Sequence, residues 1–109
     1  MPNTYKVLGQ SAPAATTETD LYTVPAATST VVSTITVANR SATSATFRIS
    51  NSLAGAVTAT KDYIAYDVTI AGNQILTLTL GMTLATTDKI RVYASANTLS
   101  FNAYGSEIS

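Results

Sequence analysis

The chain has 109 residues, 46% of them hydrophobic and only 11% charged, which is material for one domain with a modest core. Six basic residues balance six acidic ones, so no net charge draws in nucleic acid or an anionic membrane, and neither is expected as a partner. Histidine and cysteine are absent, which excludes disulfides, imidazole or thiolate metal centres and the commonest catalytic sets.

Taken in chain order, Met1 to Gln10 shows neither the charged start nor the apolar run of a secretory signal. No segment is apolar for long enough to span a bilayer, so a mature soluble chain is expected. Residues 1–18 are expected to form an amino-terminal arm, with an edge strand at Thr4 to Leu8 followed by the small-residue linker GQSAPAATTET. A β-sandwich domain is expected over residues 19–109. Its first strand lies near Leu21 to Val24 and stops at Pro25, because proline cannot donate to a central ladder.

From Val31 the period is two: Ile35 and Val37 share a face, with Thr34, Thr36 and Ala38 opposite. Turn residues occupy Asn39 to Ser44, after which Phe47 and Ile49 alternate with Thr46, Arg48 and Ser50. This spacing predicts an antiparallel hairpin. NSLAGAVTATK, at Asn51 to Lys61, is the longest internal connection. Alternation then resumes with Ile64, Tyr66, Val68 and Ile70 against Tyr63, Ala65, Asp67 and Thr69. The turn AGN and the run Leu76, Leu78, Leu80, which ends at Gly81, predict a second hairpin. Two further strands follow around Ile90 to Val92 and Leu99 to Ala103. Seven or eight short strands and no sustained helical period predict an all-β antiparallel sandwich, immunoglobulin-like or jelly-roll. A closed small barrel would show the same alternation.

Little in the chain carries reaction chemistry. Oxygen ligands for calcium exist in Asp62, Asp67, Asp88 and Glu107, but not in the alternating acid-and-glycine pattern of a calcium loop, so they are assigned to turns and surface. A carboxylate pair for glycoside hydrolysis needs a deep groove that so small a domain seldom builds. The five glycines are too scattered to form a phosphate-cradling loop. No enzyme activity and no cofactor are expected. Asn39-Arg40-Ser41 matches the glycosylation triplet and is assigned to turn chemistry. Arg40 and Arg48 flank that turn and are expected to pair with Asp67 or Glu107, or to meet a neighbouring subunit. By parity, Tyr66 faces the core, whereas Tyr63, Tyr93 and Tyr104 face outward, where rings cover threonine methyls, pack on a subunit or stack on sugar. Candidate interface residues are therefore Tyr5, Arg40, Arg48, Tyr63, Tyr93 and Tyr104.

The ordered set DLYTVPA, TVANR, TFRIS, YIAYD, LTLGMTLATTD, VYAS and SFNAYGSEIS, spanning Asp20 to Ser109, resembles small virion structural proteins of tailed bacteriophages. None of these motifs names a reaction. The resemblance implies a location in the virion and a non-enzymatic role, as a capsid decoration or cement protein or a neck or tail accessory subunit. It also implies other virion proteins as partners. Threonine-rich strands suit such packing, with high strand preference and an outer face neither greasy nor charged. The expectation is a homo-oligomer whose arm before Thr19 reaches a neighbour. The alternative is a virion-surface module that binds host glycan through its outward tyrosines.

Overall fold

The alternation of apolar and hydroxyl side chains commits most of the chain to strands, and the computed structural model, which describes residues 3–109, contains eight of them. They are β1 (Asn3–Ser11), β2 (Thr19–Thr23), β3 (Ser29–Asn39), β4 (Ala45–Ser52), β5 (Tyr63–Ile70), β6 (Ile75–Leu84), β7 (Lys89–Ala94) and β8 (Leu99–Ile108). Two short 3-10 turns, Leu53–Gly55 and Thr60–Asp62, sit in the connection between β4 and β5. The strands form two antiparallel four-stranded sheets, ordered β1-β8-β3-β6 and β2-β7-β4-β5. That order is a jelly roll, which decides among the three all-β alternatives open from the sequence.

Both expected hairpins are corrected by this topology. Consecutive strands β3 and β4 lie in opposite sheets, as do β5 and β6, and only β4 and β5 are neighbours both in sequence and in a sheet. The physical reason is that alternation fixes which face of a strand is buried but not which strand lies beside it, so a short connection can cross between facing sheets as readily as turn within one. Phe47 on β4 and Phe101 on β8 meet edge to face at 6.0 Å between ring centroids, in a core that includes Ile35, Val37, Ile49, Ile90, Val92 and Leu99.

The segment expected as an arm pairs with β8 from Asn3 to Ser11, so it is an edge strand of the sandwich and its backbone is engaged at home. Met1 and Pro2 lie outside the described residues.

Bulges repeatedly reset the alternation. Leu8 is an extra residue in β1, Ser33 in β3, and Leu80 with Gly81 lies opposite Ser33 in β6, so the irregularities fall side by side and kink the sheet along one line. Gly81 takes φ +61 there, a backbone conformation that glycine reaches without strain.

Polar clamps close the two ends of β3. At one end the Tyr22 hydroxyl crosses from the other sheet to Thr30 Oγ1 at 2.8 Å and donates to Glu107 Oε2 at 2.5 Å. Burial, reinforced by the hydrogen bond to Glu107, pushes the Tyr22 phenol up to about 12. Glu107 is held below the ordinary carboxylate range, chiefly by the Tyr22 hydrogen bond and also by Lys6. Because the folded phenol titrates above its unfolded value, its contribution is complete below about pH 10 and is lost as pH rises through about 12. The carboxylate's contribution is complete above its unfolded pKa and is lost as pH falls through the depressed folded one. Tyr22→Phe is expected to cost about 1–3 kcal/mol at neutral pH, by leaving Thr30 and Glu107 without this partner, and to flatten both limbs. Unfolding free energy measured against pH checks this.

Candidate functional site: an aromatic and arginine cluster

Charge is unevenly placed on the two sheets: Asp20, Arg48, Asp67, Lys89 and Arg91 pair on the β2-β7-β4-β5 sheet, whereas the β1-β8-β3-β6 sheet carries the Lys6–Glu107 pair near its end. The registers place Val7, Tyr104, Thr34 and Thr79 in one outward row of the β1-β8-β3-β6 sheet, and Gln10, Asn102, Thr36 and Thr77 in the next. Tyr5, Ser106, Val31 and Thr83 form a third row, and none of the three contains a charge.

The outer face of the other sheet carries charge. On its outer face Asp20 of β2 accepts from Lys89 Nζ at 2.8 Å and Arg91 Nε at 3.0 Å, both on β7, and the Lys89 hydrogen bond leads in holding its carboxyl below the usual range. Arg91 then reaches into the connection after β4: Nη1 donates to Ala56 O at 2.6 Å and Ser52 Oγ at 3.1 Å, and Nη2 donates to Gly55 O at 3.1 Å. One guanidinium therefore fastens this loop across the sheet. Arg91→Ala is expected to cost about 1–3 kcal/mol and to release the loop. Faster tryptic cleavage after Lys61, which lies in that loop and is exposed, is the readout.

Beside the loop lies the cluster that most resembles a binding site. The Arg48 guanidinium of β4 sits 4.3 Å from the Tyr66 ring centroid and 4.4 Å from that of Tyr93, held between the two rings. Its Nε donates to Asp67 Oδ1 at 2.7 Å, a hydrogen bond that raises the guanidinium pKa further. Tyr63 meets Tyr66 edge to face at 4.9 Å. With Thr60 these two rings line an open cleft of about 350 Å³. Two other clefts of similar volume are lined by residues 10–12 with 100–102, and by residues 29–31 with 83–85 and Asp88.

Of the six candidate interface residues, the structure brings three together: Arg48, Tyr63 and Tyr93. Tyr5, 81% exposed, and Tyr104 stand instead on the uncharged face of the opposite sheet. Arg40 caps a corner, its Nη2 donating to Asn97 O at 2.8 Å. Of the pairings expected for the two arginines, Arg48 to Asp67 forms.

The sequence parity puts Tyr66 in the core, and this is corrected: the residue is 55% exposed. Asp67 takes φ 50 and the register slips opposite Arg48, so two residues of β5 face one of β4 and the alternation inverts. Val68 and Ile70 keep the inward parity beyond the bulge, Ala65 recovers it on the near side, and Tyr66 turns outward. Arg91 was also overlooked, because its partners lie more than thirty residues away and nothing local marks it.

The carboxylates weighed as calcium ligands are dispersed. Asp67 pairs with Arg48, and Glu107 with Tyr22 and Lys6. Asp62 accepts from Ala59 N, and the buried Asp88 accepts from the backbone N–H groups of Ala54 and Ala85. No group of three or more acidic side chains converges among the described residues. The buried Asn39 side chain, part of the glycosylation triplet, is engaged in the corner after β3.

Compared with known proteins, the chain matches no family model, no curated protein and no solved structure.

Proposed function

We propose that this chain is a non-enzymatic structural subunit of a phage virion, present in multiple copies and packed on its neighbours through the uncharged face of the β1-β8-β3-β6 sheet. The phage setting rests on the motif resemblance between Asp20 and Ser109. The observation that carries the assembly role is the segregation of charge: one sheet face offers threonine, tyrosine and aliphatic groups in register, which a neighbouring subunit can cover without stripping water from any ion. A decoration or cement protein, or a neck or tail accessory subunit, works by repeated contact of this kind. Imaging the particle at residue resolution is the test. Regularly spaced copies with Thr34, Thr79 and Tyr104 against protein are expected, whereas copies with that face in solvent, or none in the particle, overturn the reading.

The aromatic cleft favours a second reading, recognition of a host glycan. A sugar's apolar face stacks on a tyrosine ring, and Thr60 lines the same cleft with a hydroxyl that can bond the sugar's own. Tyr66→Ala removes the most exposed ring of the cleft and is expected to weaken glycan binding about tenfold, the equivalent of roughly 1.4 kcal/mol. Glycan-array screening of the wild-type chain followed by titration of both forms checks this. No glycan bound by wild type, or one bound equally by both, removes the reading.

A further inference from the structure

Four strands form the edges of the two sheets: β1, β2, β5 and β6. Exposed edges invite pairing with another chain, and proteins normally blunt them with charge, proline or a bulge. Strand β1 carries Lys6 and a bulge at Leu8, β2 carries Asp20 and a bulge at Leu21, and β5 carries Asp67 within its own bulge. Strand β6, ILTLTLGMTL, has ten residues with no charge and no proline, and stays regular from Ile75 to Thr79 before it bulges.

The free hydrogen-bonding groups of β6 can be assigned. Asn39 N–H donates to Gln74 O at 2.9 Å, so Gln74 points toward β3, and by alternation Leu76 and Leu78 do as well. The backbones of Ile75, Thr77 and Thr79 therefore point away from the molecule. The sequence around them is a palindrome, Leu76-Thr77-Leu78-Thr79-Leu80, with Leu76 and Leu78 on the inner side, Thr77 and Thr79 on the outer, and Leu80 at the start of the bulge.

We propose that β6 is a seam between two copies of this chain, paired antiparallel about a two-fold axis through Leu78, so that two β1-β8-β3-β6 sheets become one eight-stranded sheet. In this register Thr77 faces Thr79 of the second copy, both with outward-pointing backbones, and a closely spaced pair of hydrogen bonds forms on each side of the axis. Leu78 meets its own copy, and Leu76 comes opposite Leu80, which begins the bulge and is 40% exposed in the single chain. A two-fold interface must be self-complementary, which this strand is, and an edge without charge offers nothing for a charged partner to match. The seam is short, smaller than the roughly 1,600 Å² of a standard interface, so the dimer is expected to dissociate on dilution. This inference rests on the assembly reading above and names its first contact.

Sedimentation velocity across a concentration series tests it on the full chain. The wild type is expected to dimerise. Thr77→Lys/Thr79→Lys places lysine opposite lysine across the seam and is expected to weaken the dimer at least tenfold. Thr77→Lys/Thr79→Glu places lysine opposite glutamate and is expected to keep it. Since the chain has no cysteine, Leu78→Cys adds a register probe: non-hydrogen-bonded antiparallel partners lie about 4.5 Å apart at Cα, within disulfide reach, and mild oxidation is expected to give a covalent dimer. An oligomer indifferent to the double lysine variant and uncrosslinked at residue 78 overturns the seam, and the assembly reading then rests on the imaging test of the uncharged face alone. Equal loss in both charge variants overturns the register. A wild-type monomer at every concentration overturns the seam as well, and particle imaging then decides the assembly reading separately.

Discussion

Phe101→Ala is expected to lower the free energy of unfolding by about 3–5 kcal/mol, the usual cost of emptying a buried aromatic site. Phe101 is fully buried on β8, the strand flanked by β1 and β3, and its ring meets Phe47 from the facing sheet. Its loss leaves Phe47 without its edge-to-face partner and opens a cavity where the two sheets are pinned together. The surrounding residues, Ile35, Val37 and Leu99, stand on paired β3 and β8, so they cannot collapse into the gap without breaking ladder hydrogen bonds. Against a total stability of about 5–15 kcal/mol this is a large fraction, and it corresponds to a drop on the order of 20 °C in Tm. Thermal and urea unfolding of the variant check it, and a loss below about 1 kcal/mol would show that the sheets repack.

The elements most legible in the sequence were those whose alternation runs unbroken. Ile35 and Val37, Phe47 and Ile49, Ile90 and Val92, and Leu99 and Phe101 are all buried as their spacing requires. Pairing was not legible, because period two fixes which face of a strand is apolar and leaves open which strand lies beside it. The short connection Arg40 to Ser44 looks like a hairpin turn, yet it carries the chain from one sheet to the other. Bulges were the second obstacle. At Leu80 and Gly81 a glycine marks the irregularity, whereas at Asp67 nothing does: an aspartate takes positive φ where it faces Arg48, and that step converts Tyr66 from an expected core residue into the most exposed ring of the candidate site. Half of the cluster, Arg48, Tyr63 and Tyr93, was thus readable from composition and parity, while Tyr66, Arg91 and the cleft itself depend on long-range register.

The corner after β3 shows how the crossing is enforced, and leads to the second large effect expected. Asn39 ends β3 with its side chain buried, and its Nδ2 donates to Thr43 O at 2.9 Å and lies 3.3 Å from both Ile70 O and Ala71 O. Its Oδ1 accepts from Ser41 N at 3.0 Å. One amide therefore ties the connection between β3 and β4 to the end of β5, joining two crossings at the same end of the sandwich. Gly72 lets them approach: a Cβ there would lie 2.0 Å from Ala42 O. Asn39→Ala removes four hydrogen-bonding contacts at once, including the one to the carbonyl of the buried Ile70, so a loss of about 2–4 kcal/mol is expected. Asn39→Asp keeps the acceptor and the size, but a carboxylate repels the three carbonyls that the amide satisfied, so it is expected to be nearly as damaging at neutral pH and to recover partly once acid protonates it. If the two variants behave alike at every pH, the amide's donors are not what holds the corner, and shape complementarity at Gly72 becomes the stronger explanation.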